Sequence, residues 1–497
     1  MDSTIIFAED LPDSTIHDRV ARGELGRLAR GIYTTDVDTD PADVVRQSWQ
    51  EIVGRRFPEA VVTDRSARWS QPHDGYLFLA SAREAALELP GLTVVSRKGP
   101  GPVEGDIAMG AGMHLASRPR ALLDNTRPTR RRGGRPSATL SRAELADWID
   151  HLCAVDSPER VRSYRDTAES LADVLDASPE RLKALNESVG AALGTRKSPA
   201  GSVALRARAA GAPYDQRRVV RFELLANYLG DVVTTHPALP VDAHRRATLP
   251  FWEAYFSNFI EGTEFTPDEA QRIVFEGEVP AARPDDAHDV LGTYALVSDD
   301  TELHRRTTTA DEFIELLKDW HRLILGGRPD KRPGQLKLYP NQAGNTSFVN
   351  PELVEGTLRR AHAILQRLTT PTQRGTFSAF VVSEVHPFDD GNGRVARAVM
   401  NAEYVAGGEQ RAVIPTISRN DYLRALRRLS RQDQPDLFVT YLDRIRRWTA
   451  RMDWSTLDIA RGHLEQTNAF VDANDAEDRG IHLLDPATDE PAIAPED

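Results

Sequence analysis

The sequence predicts a mainly α protein in which a large helical core is interrupted by one β-hairpin and preceded by a small α+β region. Three observations carry this. From Ala143 onward apolar residues recur at three and four spacing, the period of helices with one buried face. One stretch, PGQLKLYPNQAGNTSFVNPE from Pro333 to Glu352, breaks that period with two short extended runs, Leu336 to Tyr339 and Thr346 to Val349, around an Asn-Gln-Ala-Gly-Asn turn. Residues 1 to about 135 differ in texture, reading as short helices and strands broken by glycine and proline.

Length and composition set bounds. A chain of 497 residues exceeds one ordinary core and implies two to four domains. With 40% hydrophobic and 28% charged residues it reads as soluble, and no run approaches the roughly 20 apolar residues that would span a bilayer. The start, MDSTIIFAEDLP, has neither a basic region nor an apolar core of signal-peptide length, so a cytoplasmic location is expected. The single cysteine, Cys153, excludes an internal disulfide and a multi-cysteine zinc site, and the thirteen histidines show no HExxH-like spacing. A net charge of −13 argues against a globally basic nucleic-acid binder.

Taken in order, Asp10 to Thr35 predicts a short helix over Asp13 to Ala21, a break at Gly23 and a small hairpin ending in Ile32 and Tyr33. GDIAMGAGMHLASRPRALLDN then predicts strand, turn and helix. Five arginines within Arg127 to Arg135, among Pro and Gly, mark a linker over 127–141. Residues 142–200 read as a helical connector. PYDQRRVVRFELLANYL, from Pro213, predicts a helix entered through proline. In FWEAYFSNFIEGTEF, Phe251 to Phe265, aromatic residues make one face, Ser257 and Glu261 share another, and Gly262 ends the helix. Two more helices are expected over Arg419 to Gln432 and Pro435 to Met452, and an acidic tail over 453–497 that is disordered from about Asn474.

The densest chemistry lies in HPFDDGNGRVAR, His386 to Arg397, a tight loop between two apolar helical runs. Gly391 and Gly393 flank Asn392 and lack side chains, so backbone N–H groups can crowd an anion where a helix begins. Arg394 and Arg397 share a face and carry guanidinium forks suited to phosphate oxygens. Asp390 offers a hard oxygen ligand for Mg²⁺ against a diphosphate. His386 is the natural general base, because its unperturbed pKa lies near neutrality. Singly each feature is more often a turn, a cap or a solvated face; together they suggest nucleotidyl or phosphoryl transfer.

These residues carry a resemblance. The segment resembles the Fic-family signature HxFx(D/E)GNGRxxR, met at His386, Phe388, Asp390, Gly391, Asn392, Gly393, Arg394 and Arg397. The resemblance implies a helical Fic core that transfers AMP from Mg·ATP, or with Mn²⁺, to a Ser, Thr or Tyr hydroxyl of a protein or of the chain itself. His386 would deprotonate the hydroxyl, Asp390 would hold the metal, and Gly391, Asn392 and Gly393 would bind the α- and β-phosphates. Arg394 would take further phosphate charge and Arg397 the γ-phosphate, while Phe388 would anchor the loop and Tyr422 is a candidate for the adenine pocket. SNFIEG matches the family's (S/T)xxxE(G/N) inhibitory motif, which makes Ser257, Glu261 and Gly262 a brake acting through Arg397. The hairpin at 333–352 would be the flap that aligns a target peptide by strand addition.

Residues 1–126 resemble the winged-helix-type start of AbiEi antitoxin and regulator proteins, through Gly23, Leu25, Leu28, Arg30, Gly31, Ile32 and Tyr33 and through Ala116 to Asn125. Only about twelve residues precede the would-be recognition helix, too few for a complete helix-turn-helix. Arg19, Arg22, Arg27 and Arg30 are the candidates for DNA backbone contacts, against the alternative of a solvated face with mixed charge. Residues 201–452 are then expected to be the Fic domain with its inhibitory helix. Two rival functions stay open: removal of AMP by the same site run in reverse, and a DNA-binding regulator with the Fic core as effector. Oligomeric state is open as well.

Overall fold

The computed structural model describes residues 4–130, 134–193, 207–208, 211–344 and 346–486. The chain divides into two compact units, Met1–Gly211 and Ala212–Asp497.

The first unit begins with β1 (Ile5–Phe7), the helix Asp13–Ala21, β2 (Gly26–Ala29) and β3 (Ile32–Thr34), as the sequence predicts for this helix and hairpin. The three strands form an antiparallel sheet in the order β1-β3-β2, with Ile5 opposite Thr34 and Phe7 opposite Ile32. A second sheet follows that the sequence reading did not foresee. It has six strands in the order β6-β7-β5-β4-β9-β8, comprising β4 (Val61–Val62), β5 (Tyr76–Ser81), β6 (Ala85–Leu89), β7 (Leu92–Lys98), β8 (Ile107–Ala108) and β9 (His114–Leu115). The helix Arg118–Asp124 begins at a Ser117 cap, whose side chain accepts from the Arg120 N–H.

The expected connector belongs to this unit's core. The helices Arg142–Asp156, Pro158–Ser170 and Pro179–Ala192 bury Leu145, Trp148, Ile149, Leu152, Val161 and Leu185 against Ala121, Leu122 and Leu123. The expected linker is likewise tied down where described: Leu140 is buried, its N–H donates to Asn125 Oδ1 at 2.8 Å, and Thr129 and Ser137 hydroxyls meet at 2.6 Å. Arg131 and Arg132 of the basic run lie outside the described residues. Cys153 is buried.

The second unit is helical. Its centre is the helix Pro371–Val385 packed on the helix Asn392–Ala406, with the predicted loop between them. The aromatic helix Leu249–Ile260 buries Phe251, Trp252, Tyr255 and Phe256 and ends where Gly262 takes φ +92°, a conformation open to glycine. The hairpin is shorter than expected: β10 (Gln342–Ala343) pairs with β11 (Thr346–Ser347), whereas Leu338 and Tyr339 of the expected first strand are exposed. Asn345 at its tip lies outside the described residues.

The expected tail is folded as far as it is described. Trp454, Ala460, Leu464 and Ala469 are buried with the aromatic helix, and the Phe470 ring stacks 5.6 Å from that of Phe256. The helix Leu457–Gln466 packs Ala460 and Leu464 on the aromatic surface, and the helix Ala473–Arg479, with Ala473 and Ala476 buried, stands where disorder was expected from about Asn474. Residues 487–497 lie outside the described part.

Candidate active site

His386 closes the helix Pro371–Val385 in a left-handed conformation, φ 52° and ψ 60°, which a non-glycine residue adopts only when its surroundings impose it. Its Nδ1 lies 3.2 Å from the Ser383 carbonyl, which can only accept, so the proton sits on Nδ1 and Nε2 keeps its lone pair. Burial, helped by the nearby Lys337 charge and opposed by the Ser383 hydrogen bond, pushes the imidazole down to about 4. The ring is therefore neutral at pH 7.

The loop after it is held from several sides. Asn392 Oδ1 accepts from the Phe388 N–H at 2.9 Å and its Nδ2 donates to the Phe388 carbonyl at 2.9 Å. The Asn392 side chain, expected from the sequence among the phosphate ligands, thus closes the loop, while its backbone N–H remains part of the helix start. Phe388 is fully buried and stacks on His321 at 3.9 Å, and His321 Nε2 donates to the Asp390 carbonyl at 3.1 Å. Gly391, at φ +70°, caps the helix without a side chain. The N–H groups of the first turn, at Asn392, Gly393 and Arg394, are those that an α-helix leaves without internal partners, and here they are available to an anion.

The two arginines differ in what they meet. Arg394 is buried and ion-paired with Asp289, with Nη1 also 3.2 Å from Asn258 Oδ1. Asp289 is fully buried and also accepts from Arg328 Nε at 2.8 Å. Arg397 donates from Nε to Ser257 Oγ at 3.0 Å, and from Nη2 to the Ser257 carbonyl at 2.7 Å and to Glu261 Oε1 at 2.8 Å. Ser257 and Glu261, four apart on the aromatic helix, thus converge on one guanidinium. Burial opposes the Glu261 charge, yet the Arg397 and Arg394 guanidiniums hold its carboxyl below the ordinary value. Glu261 Oε1 also sits where a methyl on Gly393 would be, 2.1 Å from that position, so the carboxylate lies directly against the loop.

A cavity of about 540 Å³ opens here, lined by His386, Gly393, Arg397, Glu261, Phe348 and Tyr422 among others. It brings together His386, Gly393, Arg397, Glu261 and Tyr422 of the predicted residues, whereas Asp390, Gly391, Asn392, Arg394, Ser257 and Gly262 do not line it. Asp390, half-buried, accepts from the Gly391 N–H through Oδ1 at 2.7 Å and keeps Oδ2. Among the described residues no group of three or more His, Cys, Asp or Glu could hold a metal by itself. A single hard carboxylate beside an anion cradle fits Mg²⁺ that arrives with phosphate oxygens as its other ligands.

Sequence reasoning missed several residues around the loop. The Phe348 ring lies 3.7 Å from that of His386 and 4° from parallel. Lys337 and Asn341 reach the loop from the base of the hairpin, at 2.9 Å from the Lys337 N–H to the Pro387 carbonyl and 3.0 Å from Asn341 Nδ2 to the Phe388 carbonyl. Glu384 is buried between Arg218 and Arg221, and Arg218 also bonds the Ser347 carbonyl of the hairpin. The Asn-Gln-Ala-Gly-Asn turn was the one available signal, since it placed the hairpin but not its contacts.

Comparisons with known proteins agree with the loop. Residues 312–403 match the Fic/DOC family. The protein adenylyltransferase Fic of Nematostella vectensis is 27% identical over 238 residues, 46% of this chain and 54% of that protein. The protein adenylyltransferase fic-1 of Caenorhabditis elegans is 26% identical over 182 residues, 35% of this chain and 36% of that protein. The chain therefore spans about half or less of the length of these curated relatives. Among solved structures, Fic-1 from C. elegans aligns over 65% of this chain and 88% of that one at 18% identity, with a TM-score of 0.37. A Fic domain containing signaling protein from Bacteroides thetaiotaomicron aligns over 49% and 97% at 21% identity, also with a TM-score of 0.37.

Proposed function

We propose, from the Fic/DOC-family domain that this chain carries, that it is a protein adenylyltransferase held inactive at rest by Glu261. The relatives that share the domain are named protein adenylyltransferases. The observation that carries the reading is the convergence of His386, Gly393 of the helix start and Arg397 on one cavity, with Glu261 bonded to Arg397 beside it.

In the transfer step a Ser, Thr or Tyr hydroxyl of a protein, or of the chain itself, attacks the α-phosphorus of ATP. The new O–P bond forms as the bond to pyrophosphate breaks. His386 Nε2 takes the hydroxyl proton, which its neutral state at pH 7 permits. The backbone N–H groups of the first turn hold the phosphates, and Arg397 takes the terminal phosphate charge. Mg²⁺, held by Asp390 together with phosphate oxygens, would supply charge neutralisation for the diphosphate.

The brake follows from the same geometry. While Glu261 bonds Arg397, the guanidinium is taken, and a carboxylate beside the cradle repels a γ-phosphate. ATP can then enter only displaced, and alignment for attack is worth on the order of 7–11 kcal/mol when fully exploited. Glu261→Gly is expected to raise label incorporation from α-labelled MgATP, and His386→Ala added to it is expected to abolish incorporation. Label retained in the double variant would sink the mechanism.

A further inference from the structure

Lys337 is buried, 2% exposed, and has no part in the chemistry above. Burial and the Arg218 charge push its ammonium down to about 7 against the pull of Asp389. A lysine in such a place carries a desolvation cost that an apolar side chain of similar length would avoid. Its contacts show what it holds.

Lys337 Nζ donates to Asn341 Oδ1 at 2.6 Å and to the Val385 carbonyl at 3.4 Å, while its backbone N–H donates to the Pro387 carbonyl at 2.9 Å. Those two carbonyls flank His386 on either side. Asn341 in turn donates through Nδ2 to the Phe388 carbonyl at 3.0 Å, and its own carbonyl accepts from the Phe348 N–H at 3.2 Å. The Phe348 ring closes the circuit by stacking on the His386 imidazole, with centroids 3.7 Å apart. Four of these links join the hairpin segment to residues 385–388, and the bonds that Asn341 takes from Lys337 and Phe348 tie the hairpin segment to itself.

We propose that Lys337 and Asn341 are positioning residues that clasp the hairpin to both shoulders of His386, so that Phe348 sets the plane of the imidazole. This rests on the AMP-transfer reading above. Its consequence is that a peptide added along the hairpin edge and the base are aligned by one set of contacts. Lys337 acts at the carbonyls beside His386, on the hydroxyl side of the reaction, while Asn341 shares the Phe388 carbonyl with Asn392 of the loop.

The test uses the full chain carrying Glu261→Gly, alone and with Lys337→Met, Lys337→Arg, Asn341→Ser or Phe348→Leu. Lys337→Met should lower kcat for AMP transfer by roughly 10- to 100-fold, the range expected when a catalytic group is misplaced by about 1 Å, with Kd for MgATP changed by less than about twofold. Lys337→Arg, which keeps a cation that can reach the same carbonyls, should restore part of the rate, and Asn341→Ser should lie between. In protein labelled with ¹³C-histidine, the His386 ring resonance, identified by its loss in His386→Ala, should move by the same amount in Lys337→Met and in Phe348→Leu as the stacking is lost. A resonance left in place in Lys337→Met overturns the clasp, as does a rate that falls only in proportion to MgATP affinity. If the Glu261→Gly parent transfers no AMP, that failure belongs to the AMP-transfer reading, and the resonance alone decides the clasp. If Lys337→Met does not fold, the resonance in Asn341→Ser decides in the same way.

Discussion

Arg397 Nη2 and Glu261 Oε1 lie 2.8 Å apart across 136 residues of sequence. The pair is a charge-assisted hydrogen bond between a side chain that is 5% exposed and one that is 26% exposed. The guanidinium is fixed by its two bonds to Ser257, and Glu261 is the more exposed partner of the pair. Under the proposed reading, that asymmetry suits a brake whose carboxylate is the part that moves.

If Glu261 restrains Arg397 as proposed, Ser257 should contribute to that restraint in proportion to its share of the contact. Its hydroxyl accepts one of the three Arg397 bonds, so Ser257→Ala loses about 1 kcal/mol of restraint, or roughly fivefold in transfer. Initial rates with labelled ATP are expected to fall between those of wild type and Glu261→Gly. Release equal to that of Glu261→Gly would mean that the carboxylate is not the principal restraint.

With His386 as the proposed base, the acid limb of the pH profile should be displaced. A general base must be unprotonated, and burial holds His386 down to about 4, so its protonation cannot slow the reaction at pH 5.5 or above. Transfer by the Glu261→Gly variant should show no acid limb near the ordinary histidine value of about 6.5. The sign for stability follows from the same shift: between pH 6.5 and 4 the unfolded chain binds a proton that native His386 refuses, so stability falls as the pH falls through that window. A limb at 6.5 in the rate would contradict the burial of the base.

Asp289 should be a structural keystone. It is fully buried between Arg394 and Arg328, and its removal leaves the buried Arg394 without its carboxylate and Arg328 with Asp286 alone. Asp289→Asn is expected to destabilise the second unit by about 3–5 kcal/mol in denaturant titration. A midpoint equal to wild type would show that Arg394 is held by Asn258 alone.

What the sequence made legible were features whose residues lie close together in the chain. The twelve residues from His386 to Arg397 combine a base, a carboxylate, a glycine pair and two arginines, and Ser257 and Glu261 share a helix face, so both sites could be read locally. Their meeting through Arg397 was implied by resemblance, and the structure supplies the distance. Lys337, Asn341, Phe348 and Asp289 escaped because each is a single residue whose partner is 38 to 105 residues away, and no period marks such a pair. The six-stranded sheet escaped because its strands run two to seven residues and β5–β7 and β4–β9 pair in parallel. The helix Ala473–Arg479 escaped because the acidic composition from about Asn474 reads as disorder, whereas Ala473 and Ala476 are buried.

The most direct measurement is the intact mass of the purified full chain after incubation with MgATP, for wild type, Glu261→Gly and Glu261→Gly with His386→Ala. The account predicts a gain of one AMP for Glu261→Gly and none for the other two. No gain in Glu261→Gly, or an equal gain in wild type, would contradict it.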